Sequence, residues 1–461
     1  MQEKITKNAD GTLRSLSNRH VQMIAIGGTI GTGLFLGSGS TISKTGPSVM
    51  IVYLVLGCFF FLMMRAIGEM FYADPSQHTF VSFISKYLGT TAGYFTGWSY
   101  WLGLLFASMA ELTAIATYFA FWFPNVPSWI VEVAFLVVLT AINLIAAKLF
   151  GEAEFWFAMI KIVAIVALIV TGIIMVFSHT STPLGHASIS NITNHFTLFP
   201  HGSFNFISAF PMVFFAFQGI EFVSITLGES KNPHKVVKKA VNETLWRIMI
   251  FYIGALAVIM AVIPWTSITP DKSPFVQVFS LAGLPAAAAI INFVVLTSAA
   301  SSLNSIIFSA GRHFYQLATE GRKEGFMNRY FGKVSKNGIP SAAILISAAI
   351  IFITPIMSVS NSISSVFTIV AGSSSDMYII VYLLTMIAHR KYRASKDFLS
   401  DGFKMPGYSI TNPLTILFFF VIFASLFFIP GDVVGAMGAI IWSIVFCGAL
   451  YLKERNSKES A

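Results

Sequence analysis

Three ionisable side chains lie inside long apolar segments of the chain: Glu111, Lys161 and Glu221. In hydrocarbon a lysine costs about 2.5 to 3.5 kcal/mol on insertion scales unless a partner or water offsets its charge. A carboxyl group in the same surroundings can take up and release a proton, so Glu111 or Glu221 could carry a proton beside the fixed charge of Lys161. The alternatives are structural. Lys161 could reach the polar edge of its helix, Glu221 could anchor local backbone, and Glu111 could belong to a structural pair.

Two segments around these residues are expected to interrupt a helix. Gly27–Gly33 contains four glycines and two threonines, and each glycine weakens a helix by about 1 kcal/mol relative to alanine. Phe214–Glu221 places an amide, a glycine and an acid in an otherwise apolar run. Helices that break near the middle of a membrane form the binding sites of many transporters. The alternative for the glycines is close helix packing through Gly27 to Gly31 and Gly33 to Gly37.

Interrupted helices leave free backbone groups for a ligand. Free N–H groups at a helix end suit a carboxylate, and free carbonyl groups suit an ammonium group. A zwitterionic amino acid satisfies both. A nucleotide-binding glycine loop does not fit, because no strand precedes the glycines. The predicted binding residues are Ile26, Gly27, Thr29, Gly31, Thr32, Gly33, Phe215, Ala216, Phe217, Gln218 and Gly219.

The composition excludes an ordinary soluble fold. Of 461 residues, 55% are hydrophobic and only 11% are charged, against about 25% charged in soluble domains. Apolar runs of about 20 residues recur along the chain, which is the length of a membrane-spanning helix. The sequence therefore predicts an all-α polytopic membrane protein of about 12 transmembrane helices. The predicted spans are 21–41, 48–70, 91–120, 127–148, 155–177, 205–228, 245–265, 281–309, 340–358, 363–387, 412–430 and 432–452.

The distribution of basic residues predicts the orientation of these spans. Lysine and arginine accumulate in alternate loops and in both termini, whereas the remaining loops carry only Lys44 and Lys272. The positive-inside rule then places both termini in the cytoplasm. The net charge of +9 is explained by loops beside anionic lipid and does not indicate nucleic-acid binding.

Several ordered segments resemble the amino acid permeases of the APC superfamily, and the resemblance covers nearly the whole chain. It is closest to bacterial permeases for serine, alanine and glycine, with kinship to those for aromatic amino acids and lysine. The segments are Asn18–His20, Gly27–Gly37, Thr45–Ser48, Gly151–Lys161, Phe217–Glu221, Ser273–Val276 and Asn292–Ser302.

The resemblance implies a five-plus-five inverted repeat in which helices 1 and 6 are broken, with alternating access and import driven by protons. It also implies that Lys161 occupies the place of an ion in sodium-coupled relatives, bridging carbonyls of span one and hydroxyls of span eight. The hydroxyl candidates are Ser298, Ser301 and Ser302. No cofactor is expected apart from protons as the coupling ion.

The predicted organisation follows from the spans and the repeat. Residues 1–20 are a cytoplasmic segment, 21–177 the first repeat, 178–204 an extracellular loop, 205–387 the second repeat, 388–411 a cytoplasmic loop, 412–452 two further spans and 453–461 a cytoplasmic tail. The expected location is the cell membrane. The oligomeric state stays open between a monomer and a homo-oligomer.

The expected function is proton-coupled import of small neutral amino acids, led by serine, alanine and glycine, with threonine as a further candidate. The alternatives are an exchanger, a permease for aromatic or other amino acids, and a nutrient sensor built on a transporter fold. No catalytic motif or metal-ligand spacing favours an enzyme, and no filter loop favours a channel.

Two further observations concern polar residues of the spans. Arg65 and Glu69 are spaced i, i+4, which predicts an ion pair between them, with a role in a gate as the alternative. Asp376 departs from the apolar pattern expected of relatives at that position. It could face the aqueous pathway, modify coupling or cap a kink, and the sequence does not rank these alternatives.

Overall fold

The computed structural model describes residues 6–7, 13–14, 29–77, 79–145, 150–194, 196–221, 233–319, 325–335, 338–429 and 432–459. Within these residues the chain is mostly helical. The strands there form two small antiparallel hairpins, which pair Thr6–Lys7 with Leu13–Arg14 and Ser181–Thr182 with Gly185–His186.

The helices follow one another with short connections, as expected when most of the backbone must hydrogen-bond to itself within lipid. In chain order they are α1 (Thr32–Phe35), α2 (Gly37–Thr45), α3 (Val49–Ala73), α4 (Phe80–Leu88), α5 (Thr90–Phe119), α6 (Ser128–Ile145), α7 (Phe150–Phe177), α8 (Ser190–Thr193), α9 (Gly202–Ile207), α10 (Phe210–Phe217), α11 (Pro233–Val262), α12 (Pro274–Leu281), α13 (Pro285–Thr319), α14 (Phe326–Phe331), α15 (Ser341–Ile351), α16 (Ile353–Ser360), α17 (Ile363–Arg393), α18 (Tyr408–Leu426) and α19 (Val433–Glu459).

The predicted multi-pass helical fold is confirmed. Among the described residues, nine continuous helical stretches have the length and apolar composition needed to cross a membrane, and the first of them, Gly37–Ala73, joins α2 and α3. Two shorter apolar stretches, Gly202–Phe217 and Trp246–Val262, accompany them. Each of the twelve spans predicted from the sequence contains at least one helix. The division of the chain into two repeats stays a prediction.

Both predicted interruptions coincide with short helices. In the first span, Ile30 and Gly31 are not helical, and α1 is only four residues long. In the sixth span, α10 ends where Gln218 becomes extended (φ −61°, ψ 150°). Gly219 then has a φ of 91°, a conformation that glycine adopts without the steric penalty of a side chain. The local sequence therefore ends α10 inside an apolar segment.

Helix α5 lies at the centre of the bundle, where it packs against α13 and α17. Glycine allows the closest approach: a Cβ atom on Gly103 of α5 would lie 2.7 Å from Cδ2 of Tyr378 on α17. Small residues at helix crossings are typical of membrane bundles, because they let the backbones come together. This packing brings side chains of α5, α13 and α17 to one place.

Several helices extend past the limits predicted for their spans. Helix α13 continues to Thr319, whereas the predicted span ended at 309, and α17 continues to Arg393 rather than 387. The added turns carry charged side chains, such as Arg312 of α13 and Arg390 and Lys391 of α17. Hydropathy detects only the part of a helix within hydrocarbon, so it misses such extensions.

The direct ion-pair partner of Glu69 is Arg393, and Arg65 interacts with Glu69 only electrostatically. Glu69 accepts a hydrogen bond of 2.8 Å from Nη2 of Arg393 and one of 2.7 Å from the backbone nitrogen of Met405. Arg65 instead donates to Oδ1 of Asn242 at 3.0 Å. The i, i+4 spacing allowed the pair, but partners on other helices and on the loop after α17 offered both side chains better geometry.

Candidate functional site

A cavity lies at the interruptions of the first and sixth spans, enclosed by α1, α5, α10, α13 and α17. Its volume is about 30 Å³, room for about two water molecules and far below the roughly 300 to 1,000 Å³ of open small-molecule sites, so the site is closed in this conformation. The predicted residues that line it are Thr29, Gly31, Gly33, Glu111, Phe215, Gln218, Gly219 and Ser302. The fold therefore brings these residues together around one small space.

Glu111 faces the free backbone of the first span. Its Oε1 accepts a hydrogen bond of 3.5 Å from the backbone nitrogen of Thr32, and Ser302 lies beside the same carboxyl group. Gly31 makes this contact possible, because a Cβ atom there would lie 2.7 Å from Glu111 Oε1. The Glu111 carboxyl group, 3% exposed, thus occupies backbone N–H groups expected to bind a ligand carboxylate.

Lys161 of α7 is buried, with 1% of its surface exposed. The alternative in which it extends to the polar edge of its helix therefore does not apply. Its ammonium group interacts electrostatically with the carboxyl group of Glu111. Each charge thereby offsets part of the cost of burying the other.

The three serines predicted to face Lys161 lie on α13, within the bundle. Ser298, Ser301 and Ser302 are each less than 5% exposed. Of the three, Ser302 lies beside Glu111 and lines the cavity. Bridging by Lys161 to span one stays a prediction.

Gly33 serves helix packing as well as the cavity. A Cβ atom on Gly33 would lie 2.5 Å from Cα of Ala216, so no side chain fits between α1 and α10. The hydroxyl group of Tyr252 on α11 reinforces this crossing, because it lies 3.0 Å from the carbonyl oxygen of Thr29 and donates to that of Ala216 at 2.7 Å. The two interrupted helices are therefore held directly against each other.

Gln218, the residue after α10, is held by a serine pair on α17. Ser374 donates to Oε1 of Gln218 at 2.8 Å, and the Gln218 amide donates to Ser375 at 3.4 Å. The Ser375 hydroxyl also lies 2.8 Å from the carbonyl oxygen of Pro211 in α10. Serines of the tenth span therefore hold the interrupted sixth span in position.

Glu221 lies behind the cavity, fully buried. Its Oε2 accepts hydrogen bonds from the backbone nitrogen of Gly219 at 3.0 Å and from the Tyr382 hydroxyl at 2.7 Å. Its Oε1 accepts one from the Tyr100 hydroxyl at 3.3 Å. Three donors on one carboxyl group favour the structural alternative, in which Glu221 anchors the broken helix.

The other predicted binding residues that the structure describes fall outside the cavity lining. Ile26 and Gly27 lie outside the described residues. Thr32 contributes its backbone nitrogen, and Ala216 its carbonyl group, to the contacts described above. Phe217 packs away from the cavity, with its ring centre 5.2 Å from that of Phe60.

Three lining residues were missed by the sequence reasoning: Ala107, Ile306 and Tyr378. Helical spacing could have indicated two of them, because Ala107 precedes Glu111 by four residues and Ile306 follows Ser302 by four, which places each pair on one helix face. Nothing in the local sequence marks Tyr378.

Asp376 lies on α17 outside the cavity lining and is 2% exposed. Its carboxyl group is repelled by that of Asp432, which lies in the connection before α19. Gly435 makes room for it, because a Cβ atom there would lie 2.4 Å from Asp376 Oδ2. Asp376 therefore faces the junction with the last helix.

Fold and cavity define a multi-pass membrane protein whose two interrupted helices enclose a small, closed cavity lined by polar groups. The family model of amino acid permeases matches residues 20–453. The chain is 48% identical to the DL-alanine permease SerP2 of Lactococcus lactis subsp. cremoris (strain MG1363), over 94% of both chains. It is 47% identical to the serine permease SerP1 of the same strain, over 96% of this chain and 98% of that one.

A more distant relative is the D-serine/D-alanine/glycine transporter of Escherichia coli (strain K12), which is 45% identical over 85% of this chain and 84% of that one. Such matches along most of both chains place the protein plainly: it belongs to the amino acid permease family. The family and the names of the relatives indicate a membrane transporter rather than an enzyme.

Proposed function

We propose that this protein imports small neutral amino acids, led by serine, alanine and glycine, and couples their uptake to protons by alternating access. The observation that carries the proposal is the position of Glu111, whose carboxyl group lies 3.5 Å from the Thr32 backbone nitrogen in a cavity between two interrupted helices. The names of the relatives supply the class of substrate.

The cavity suits the backbone of an amino acid. The N–H groups from Gly31 to Gly33 are candidates for the substrate carboxylate, as free N–H groups at a helix start attract anions. Helix α10 presents its C-terminal end on the other side, where the partial negative charge of the helix attracts a cation. The carbonyl groups near Phe215 are therefore candidates for the substrate ammonium group.

The size of the cavity favours a small side chain. Phe215, Ile306 and Tyr378 contribute bulky walls to the closed cavity of about 30 Å³. A larger substrate would have to displace one of them, at a typical overpacking cost of about 1 to 3 kcal/mol. Serine, alanine and glycine also need the closed cavity to open, but their small side chains require the least displacement of these walls.

Coupling follows from competition for the same N–H groups. A substrate carboxylate and an ionised Glu111 would both be drawn to the backbone at Thr32 and would repel each other. Protonation of Glu111 removes that repulsion, so substrate and proton bind favourably together. Lys161 keeps a permanent positive charge beside the pair, and its link to Ser298, Ser301 and Ser302 belongs to this proposal.

The proposed location is the cell membrane, with both termini in the cytoplasm. The placement of basic residues in alternate loops supports this orientation. Import would then carry a proton and substrate inward together.

The test is uptake of labelled serine into proteoliposomes under an imposed proton gradient, in competition with each common amino acid. We expect uphill accumulation that small neutral amino acids inhibit best. Better inhibition by lysine, arginine or phenylalanine than by serine would refute the substrate class. Uptake that occurs only when the vesicles already contain unlabelled amino acid would identify an exchanger. Binding without uptake would identify a sensor.

A further inference from the structure

A second concave site lies on the outer surface of the bundle, remote from the central cavity. It is an apolar groove between α17, α18 and α19, and we call it the outer groove. Its walls include Ile380 and Ile387 of α17, Leu417 and Phe420 of α18, and Cys447 of α19. Among the lining residues that the structure describes, the charged one is Arg390.

The outer groove opens towards the surroundings of the protein. Leu417 and Phe420 are 56% and 58% exposed, and Ile387 is 36% exposed. Helices α17, α18 and α19 all belong to stretches able to cross a membrane, so the medium beside these apolar side chains is hydrocarbon. The molecules available to fill the groove are therefore lipid chains.

The dimensions of the groove match one leaflet. From Ile380 to Arg390 the helix advances ten residues, which corresponds to about 15 Å at about 1.5 Å per residue. Half of a hydrocarbon core of about 30 Å is also about 15 Å. Arg390 and its neighbour Lys391, both exposed, therefore stand at the level of the headgroups when Ile380 lies near the midplane.

The charge at that end selects the headgroup. Arg390 is on the wall of the groove, whereas Lys391 is not part of the lining. Guanidinium groups bind phosphate through paired hydrogen bonds, and a basic residue near a membrane surface contributes about 1 kcal/mol towards anionic lipid. We propose that the outer groove binds one anionic phospholipid, with an acyl chain along α17 and α18 and the phosphate group at Arg390.

Two exposed cysteines make the test direct, because Cys447 lies in the outer groove and Cys58 lies on α3. A trifluoroethylthio label is placed on Cys447 in a Cys58→Ser protein, and on Cys58 in a Cys447→Ser protein as the control. The full-length proteins are reconstituted in phosphatidylcholine vesicles that contain a small fraction of chain-spin-labelled phosphatidylglycerol or phosphatidylcholine. Fluorine relaxation then reports how often each lipid contacts each label.

We expect the anionic lipid to relax the Cys447 label about fivefold more than the zwitterionic lipid does, the factor that corresponds to about 1 kcal/mol. The Cys58 label should respond equally to both. Arg390→Gln should remove the preference at Cys447, while Lys391→Gln should keep most of it. An unchanged Cys58 signal in each variant shows that the fold is intact.

Three results would overturn the proposal. Equal relaxation by both lipids in the unsubstituted groove would mean ordinary hydrocarbon contact without a site. A preference that survives Arg390→Gln would assign the selectivity to another group. A Cys447 label that neither lipid relaxes would show that a second copy of the protein covers the groove.

Discussion

The hydroxyl group of Tyr382 donates a hydrogen bond of 2.7 Å to Oε2 of Glu221. Together with the bonds from Gly219 and Tyr100, it ties the carboxyl group of Glu221 to α5, to α17 and to the backbone at the interruption of the sixth span. Glu111 instead faces the cavity. The two buried acids therefore have different surroundings, and their glutamine variants should fail in different ways.

Glu111→Gln should abolish uphill uptake while exchange of labelled for unlabelled substrate continues. The amide keeps the shape of the side chain but cannot change charge, so proton and substrate binding become uncoupled. The dependence of substrate affinity on pH, about 5- to 150-fold for a typical coupling of about 1 to 3 kcal/mol, should disappear. Uphill uptake driven by a pH gradient and exchange of labelled for unlabelled substrate are measured in the same vesicles. Full accumulation by Glu111→Gln would exclude Glu111 as the proton carrier.

Glu221→Gln is the matched comparison for that experiment. Glutamine keeps one acceptor oxygen but places an N–H donor against groups that also donate, so we expect a lower melting temperature in detergent. The loss should be about 1 to 3 kcal/mol, as for an unsatisfied buried polar group. The pH dependence of substrate binding should survive. Selective loss of pH-driven uptake at unchanged stability would instead make Glu221 the carrier.

Lys161→Ala should lose accumulation driven by a pH gradient while substrate binding persists. The buried ammonium group interacts with Glu111, and its removal leaves that acid without its cationic partner. We expect at least about a tenfold fall in pH-driven uptake, within the usual range of coupling between sites. Isothermal titration of substrate binding is the second measurement. Normal accumulation by the alanine variant would show that coupling does not need the charge of Lys161 and that its side chain only packs within the bundle.

Gly31 and Gly33 should respond differently to alanine, because their surroundings differ. On Gly31 a Cβ atom meets the carboxyl oxygen of Glu111, whereas on Gly33 it meets the backbone of Ala216. Gly31→Ala should therefore fold, since the Glu111 side chain can move aside to admit the methyl group. It should bind substrate weakly, because the added methyl group lies in the cavity. Gly33→Ala should destabilise the protein by about 1 to 3 kcal/mol through overpacking. Thermal unfolding and substrate titration separate the two, and equal stability of both variants would contradict this difference.

Ile306→Ala should admit larger substrates, because it removes part of one cavity wall. Leucine and isoleucine should gain about tenfold as inhibitors of serine uptake, within the 10- to 200-fold range of one methylene in an apolar pocket. The control is Ile307→Ala, which removes the same atoms from a fully buried position that is not part of the lining. A similar gain in the control would attribute the change to loosened packing rather than to the wall.

Several features of the fold could be predicted because they depend on local composition. Apolar runs longer than a bilayer is thick specify membrane helices whatever their neighbours are, and a glycine cluster or a Gln-Gly pair weakens a helix from within. Ile30, Gly31, Gln218 and Gly219 accordingly lie where the helices are interrupted. Most of the predicted binding residues then line one cavity, since α1 and α10 lie directly against each other.

The tertiary structure alone decided which polar groups meet. The spacing of Arg65 and Glu69 suggested a local pair, but Arg393, distant in sequence, binds Glu69. Tyr378 joins the cavity, and Tyr382 holds Glu221, because α17 packs across α5 and α10.

The physical reason for this division lies in the range of the forces. The hydrophobic cost of burial and the intrinsic weakness of a helix act within one segment, so the order of residues is sufficient to determine where the spans lie and where they break. The choice of partner for a buried charge depends on which side chains packing brings within about 3 Å. The sequence by itself therefore determined the membrane helices and their interruptions, while only the packing of the bundle separated Glu111, which faces the cavity, from Glu221, which holds its frame.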